Sequence, residues 1–257
     1  MDRINTMKNA ALYSGTSGIV AETVKALYPA EFRNTSRLHY YSTLFNSLEI
    51  NSTFYKLPKK TTVGKWMTEV TPGFRFTFKI PKAISHSSLL QYDEYDVRNF
   101  CDILADVSLP GCILIQLPSG TTCESHKKLT ELIKKIGKYT KDIDWRIAVE
   151  FRHSSWYSSK ITESLKHHNV AVVLHDFAKG ENLQDMKTAD FVYLRFHGPE
   201  PRYRGSYSDE FLLAISKRIQ QWISEGRAVF AYFNNTMGAA YDNIITLNEL
   251  VRTKQIK

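Results

Sequence analysis

Eight short strand-like runs, most of them separated by helical patterns, constrain this chain more than any other feature. The clearest is Phe74-Arg-Phe-Thr-Phe-Lys-Ile80. Side chains alternate along a strand, so Phe76, Phe78 and Ile80 share one face and Thr77 and Lys79 the other. The other runs are Ala10–Ser14, Ser47–Asn51, Gly111–Leu117, Arg146–Phe151, Val170–Asp176, Phe191–Gly198 and Arg227–Asn234. Gly111–Leu117 is continuously apolar, the mark of a strand buried on both faces. Helical patterns cover Val20–Leu27, a stretch capped by Asn34-Thr-Ser36 and ending at Phe45, and Glu124–Tyr139. Others cover Ser158–His168, a stretch capped by Ser208, and Gly238–Leu250. Such connections are too long for hairpins and suit right-handed crossovers between parallel strands. Eight strand–helix units in 257 residues predict an α/β fold, a closed (β/α)8 TIM-type barrel in a single domain, after a loose lead-in at residues 1–9. A doubly wound open sheet is the alternative. The turn Gly15-Thr-Ser-Gly18 does not help it, having neither the dinucleotide fingerprint nor a Walker lysine.

Composition narrows the class. With 43% hydrophobic residues the chain can bury one large core. No apolar run has transmembrane length and no signal pattern is present, so a cytoplasmic protein without a membrane partner is expected. Cys101, Cys112 and Cys123 have no zinc-type spacing and read as reduced, mostly buried thiols. The net charge of +8 favours anionic partners, phosphate-bearing ligands or nucleic acid among them, although much of it lies on solvated helical faces.

Parity then locates a site. The strand tips carry Glu49 and Asn51, Thr77 and Lys79, Gln116, Glu150 and Arg152. They continue with His175 and Asp176 on opposite faces, with Tyr193, Arg195 and His197, and with Tyr232 and Asn234. In a barrel these polar faces converge at the C-terminal mouth, where chemistry is placed. Burying such charges is unfavourable unless they pair or meet a ligand. Glu49, Lys79, Glu150 and His197 form the candidate catalytic set. Lys79 reads either as a Schiff-base lysine or as a counter-ion. Glu49 and Glu150 read either as an acid/base pair or as clamps on neighbouring cations. Asn51, Gln116, Arg152, Arg195 and Asn234 are candidate substrate contacts. Glu150, Asp176 and His197 are the candidate set for a divalent metal, without supporting HxH or HExxH spacing. Trp156, Tyr203 and Tyr207 read as stacking platforms in loops above the mouth, or as rim packing. Gly198, Arg202, Arg204 and Gly238 follow the last two strands, where barrels often hold phosphate.

The segments Gly15-Thr-Ser-Gly18, Asn46-Ser-Leu-Glu-Ile-Asn-Ser-Thr-Phe-Tyr55, Pro72–Lys79, Ala148-Val-Glu-Phe-Arg-His-Ser-Ser-Trp156, Tyr193–Gly198 and Tyr232–Thr236 resemble the signatures of the DUF72 (YecE-like) family. The resemblance spans essentially the whole chain and implies a TIM-type barrel without implying an activity. It adds Tyr55 and His153 to the candidate contacts and carries over Glu49, Asn51, Lys79, Glu150, Arg152, Trp156, Arg195, His197 and Asn234. Ile19 departs from the aromatic that family members often have after the first strand. Three functions compete: an enzyme acting on a phosphate-bearing substrate, including a nucleic-acid phosphodiester; a glycoside-processing enzyme using Glu49 and Glu150; and a binding barrel without turnover.

Overall fold

A computed structural model describes residues 11–19, 25, 28–177 and 182–253. The expected lead-in at residues 1–9, and almost all of the expected helix Val20–Leu27, lie outside these residues. The strands are β1 Leu12–Thr16, β2 Ser47–Ile50, β3 Arg75–Lys79, β4 Pro110–Gln116 and β5 Arg146–Glu150. They continue with β6 Val170–Val172, β7 Leu174–His175, β8 Phe191–Phe196 and β9 Ala228–Phe233. The helices among the described residues are α1 Arg37–Leu44, α2 Lys60–Glu69, α3 Lys82–Ser85 and α4 Glu94–Ile103, then α5 His126–Tyr139, α6 Ser159–His167, α7 Asp209–Ser224 and α8 Ala240–Arg252. Ser36 and Ser208 cap α1 and α7, accepting from His39 N and Phe211 N, as Ser side chains do at helix starts. No helix among the described residues is long and apolar enough to cross a membrane.

All strand pairs in the two sheets are parallel, in the orders β1-β9-β8-β7 and β2-β3-β4-β5-β6. β6 and β7 are two halves of one strand interrupted at Val173, whose N–H still donates to Val149 O at 2.9 Å. This strand belongs to both sheets and joins them. On the other side the ring is completed between β1 and β2. There the ladder shrinks to one bridge, Ser17 to Glu49, with Gly18 N–H donating to Glu49 O at 2.8 Å. Side chains replace the missing ladder bonds. Ser14 N–H donates to Asn46 Oδ1 at 2.8 Å, Asn46 Nδ2 donates to Leu12 O at 2.8 Å, and Thr16 N–H donates to the Tyr41 hydroxyl at 2.7 Å. Tyr41 in turn donates to Ser47 O at 3.1 Å. The fold is an α/β barrel of TIM type with a side-chain seam.

Alternation along the strands gives the barrel two cores. The outward residues, such as Phe76, Phe78, Ile113, Ile115 and Val149, pack under the helices. The inward ones, including Cys112, Leu114, Ala148, Tyr193, Phe230 and Tyr232, fill the barrel. Cys101 and Cys112 are buried and Cys123 is half-buried, all three as free thiols. The first strand runs on through Thr16, which pairs with Phe233, so the expected turn at Gly15 begins two residues later. Tyr232, expected at the mouth, lies deeper, its hydroxyl 2.7 Å from both Ser47 Oγ and Thr77 Oγ1.

Candidate functional site

The register fixes which tips meet. Gln116 pairs with Glu150, His175 with Arg195, and Arg195 with Tyr232. The result is a buried charge network with Arg195 at its centre. Arg195 Nε and Nη2 donate to Glu49 Oε2 and Oε1 at 3.0 and 2.7 Å, a bidentate pair. Nη1 donates to Glu150 Oε2 at 2.6 Å and to His197 Nε2 at 3.3 Å, and Nη2 reaches Ser17 Oγ at 3.5 Å. Those contacts engage every N–H of the guanidinium. Tyr193 donates to Glu49 Oε2 at 2.5 Å. Arg152 Nε donates to Glu150 Oε1, its Nη2 donates to His197 Nε2 at 3.0 Å, and its guanidinium lies 3.7 Å from the centroid of the Phe177 ring. Glu49 and Glu150 are fully buried and Arg195 nearly so.

These contacts define the charge states. Burial works to raise the Glu150 pKa, but Arg195 and Arg152 hold it well below the usual carboxylate range. His197 Nε2 faces two guanidinium groups that can only donate, so it accepts, and Nδ1–H points at Asp176 Oδ1, 3.2 Å away. Asp176 also accepts from His197 N at 2.7 Å and from the Tyr207 hydroxyl. Burial lowers the His197 pKa, and the ring is neutral in this arrangement.

Above the network sits a small cavity of about 190 Å³. Lys79, Arg152 and Arg195 supply its charge, Asn51, Gln116 and Asn234 its amides, and Phe54, Tyr55 and Tyr203 its aromatic walls. Among the described residues no carboxylate lines it. Lys79 Nζ donates to the neutral Gln116 Oε1 at 2.7 Å and lies 4.2 Å from the Phe54 ring centroid. Burial, with Arg195 nearby, lowers its pKa to about 8, although Glu150 and Glu49 oppose the shift. A larger cavity of about 810 Å³ opens at the other end of the barrel, between Tyr13, Arg75, Arg146 and Ala228 at the strand starts. Barrel chemistry is placed at the strand C-termini, so the smaller cavity is the candidate site.

The structure thus gathers Glu49, Lys79, Glu150, Arg195 and His197 at one mouth. Other expected residues lie elsewhere. Trp156 is not a stacking platform: its indole is buried, stacks on Phe151 at 4.6 Å and donates to Thr121 O at 2.7 Å. Tyr207 is buried as well, its hydroxyl accepting from Gly198 N at 2.6 Å. His153 Nδ1 is occupied by Ser155, as the cap of a short 3-10 turn. The glycines expected to cradle phosphate lie where loops touch: a Cβ on Gly198 or Gly238 would meet Arg204 O or Gly205 O at 2.4 Å. The metal set does not fit as arranged. Glu150 faces two arginines, His197 Nε2 accepts from both, and Asp176 accepts from His197 and Tyr207. Among the described residues no group of three His, Cys, Asp or Glu could hold a metal ion. Phe54, Phe177 and Ser17 escaped sequence reasoning: the first two are apolar, and the sequence puts Ser17 in the turn after the first strand.

The buried histidines set one expected pH response. His175 is fully buried, its Nε2–H donating to Phe151 O at 2.9 Å, and burial lowers its pKa from 6.5 to about 4. Between those values the unfolded chain binds more protons than the native one, so stability falls as pH drops through that window. His197 acts in the same direction, and Glu150 adds acid sensitivity below its ordinary value of 4.5. Urea midpoints measured between pH 7.5 and 4.5 should decline steadily; a flat profile would contradict the buried neutral histidines.

Comparison with known proteins places the chain. It is 36% identical over 83 residues to the UPF0759 protein YecE of Escherichia coli (strain K12), a match spanning 32% of this chain and 30% of that protein. The crystal structure of a DUF72 family protein from Thermotoga maritima MSB8 superposes with a TM-score of 0.75 at 22% identity, covering 94% of this chain and 99% of that one. An AP endonuclease of family 2 from Brucella melitensis superposes with a TM-score of 0.57 at 12% identity, over 93% of this chain and 98% of that one. The family model described as "Protein of unknown function DUF72" matches residues 13–257, and the chain belongs to that family.

Proposed function

We propose that the protein is a barrel enzyme acting on a small phosphate-bearing substrate held at the C-terminal mouth. One observation carries this reading: the cavity is lined by Lys79, Arg152 and Arg195 and, among the described residues, by no carboxylate. Glu49 and Glu150 lie beneath it and orient Arg195 and Arg152. Arg195 is fully engaged, but Arg152 Nη1 has no hydrogen-bond partner among the described residues and is the donor left for an oxyanion. Asn51 and Asn234 add neutral polar groups beside it. The fold likeness to an AP endonuclease agrees with a phosphate-bearing substrate, such as a nucleic-acid phosphodiester, without identifying it.

The glycosidase reading is weaker on a specific ground. A general acid must be protonated at working pH, and Glu150 is held ionised by two arginines. Glu49 is bound bidentately to Arg195.

Calorimetric titration with inorganic phosphate, a short oligonucleotide and a neutral oligosaccharide tests the proposal. Phosphate should bind, and more weakly as salt rises. Lys79→Met should weaken phosphate binding roughly tenfold, by removing a charge worth about 1.5–3 kcal/mol in a direct contact and less at a distance. Binding of the sugar alone, indifferent to salt and to Lys79→Met, would overturn it.

A further inference from the structure

We infer that Lys79 is an imine-forming nucleophile for a phosphorylated aldehyde, whose phosphate sits against Arg152 and whose carbonyl carbon faces Nζ. The inference rests on the phosphate reading above and adds to it the reactive group of the substrate. Three features of the geometry point to it. Lys79 ends β3 inside the barrel mouth, where a nitrogen can reach a bound ligand. Its nitrogen is held by a neutral amide oxygen, Gln116 Oε1 at 2.7 Å, where a simple counter-ion would be held by a carboxylate. Nζ also lies 4.2 Å from the centroid of the Phe54 ring, an aromatic face and not a carboxylate. A lysine desolvated in this way beside other cations is the arrangement that frees an amine for attack.

The charged groups around Nζ come from several elements. Glu49 lies on β2, Glu150 on β5, Arg195 on β8, and Arg152 follows β5. His86, after α3, also feels Lys79; burial lowers its pKa to about 4, so it stays neutral near pH 7. With its pKa lowered to about 8, the amine is neutral at pH 7.5 for a far larger share of the time than an ordinary lysine.

The step balances without a further reactant. The Nζ lone pair forms the C–N bond, the C=O π pair moves to oxygen, and the nitrogen passes a proton to that oxygen to give a carbinolamine. A second proton transfer from nitrogen lets the hydroxyl leave as water, and the C=N bond forms. The protons lost by nitrogen equal those gained by the departing water, and Tyr203, a residue that lines the cavity, is the one we assign to relaying them.

The test is reductive trapping with cyanoborohydride, followed by peptide mass mapping. The probes are 2-deoxyribose 5-phosphate, 2-deoxyribose, and a single-stranded oligonucleotide with one abasic site, whose sugar carries the same aldehyde between phosphates. Labelling should concentrate on Lys79 and exceed that with unphosphorylated deoxyribose at least tenfold. It should rise with pH through about 8 and be blocked by inorganic phosphate. Preference for the free sugar phosphate or for the oligonucleotide tells which source supplies the aldehyde. Lys79→Arg should keep its fold by circular dichroism and still bind phosphate, but lose the label at position 79 and most of the total. Labelling confined to surface lysines, with phosphate still bound, would overturn the imine and leave the phosphate reading standing. Equal labelling of Lys79 by both sugars, indifferent to phosphate, would overturn the phosphate reading and keep the imine. No phosphate binding and no label at Lys79 would overturn both.

Discussion

Arg195→Met should destabilise the folded chain by about 3–5 kcal/mol, the loss typical of removing one partner from a buried ion pair. Arg195 is 1% exposed and bridges Glu49 and Glu150, both fully buried. Without it, among the described residues, Glu49 retains the Tyr193 hydroxyl on its side chain and Glu150 retains Arg152. Two carboxylates would then share a low-dielectric space, with Glu49 in direct contact with no cation among the described residues and Glu150 with Arg152. Arg195→Lys should restore only part of the loss, because an ammonium cannot span the bidentate contact to Glu49 and the second contact to Glu150 together. Replacing the whole network by apolar residues, as Glu49→Leu and Glu150→Leu with Arg195→Met and Arg152→Leu, should recover stability relative to Arg195→Met, since no unpaired buried charge would remain at these positions. Urea denaturation followed by circular dichroism measures all three. A single Arg195→Met variant within about 1 kcal/mol of the parent would contradict a central role for this group.

This network also shows how far the sequence could be read. Alternation along β2, β3, β5 and β8 was enough to turn Glu49, Lys79, Glu150 and Arg195 inward, because a strand side chain has only two directions available. Pairing was not legible. Nothing in the spacing says that Arg195 would engage both glutamates or that Lys79 would take an amide in place of a carboxylate, since these contacts join residues 37 to 146 positions apart. Loop residues were harder still. Trp156 follows a strand tip with no periodicity to orient it, and its position is decided by the Phe151 ring and by Thr121 O, 35 residues upstream. The seam between β1 and β2 was invisible for a related reason: its bonds come from Asn46 and Tyr41, which as residue types suggest only a loop and a helix face.

That seam gives the second large effect. Gly15→Ala should leave little folded protein. A Cβ at position 15 would lie 1.9 Å from Ser47 O and 2.7 Å from the Tyr41 hydroxyl. Neither can retreat cheaply. Ser47 O accepts from that hydroxyl, which also accepts from Thr16 N–H. Ordinary overpacking costs about 1–3 kcal/mol because side chains can adjust; here the nearest atom is backbone, so β1 and β2 must separate. Separation would strain the Asn46 and Tyr41 bonds that replace the ladder, and above them the Ser17–Glu49 bridge. Glu49 carries the bidentate contact to Arg195, so the damage should reach the mouth. Gly64→Ala is the control. Gly64 lies within α2 with nothing within 4 Å of the added Cβ, and alanine there should be neutral or stabilising by up to about 1 kcal/mol. Differential scanning calorimetry of the two variants compares them directly. A Gly15→Ala melting temperature equal to the parent's would mean that the barrel does not depend on the close approach of β1 to β2.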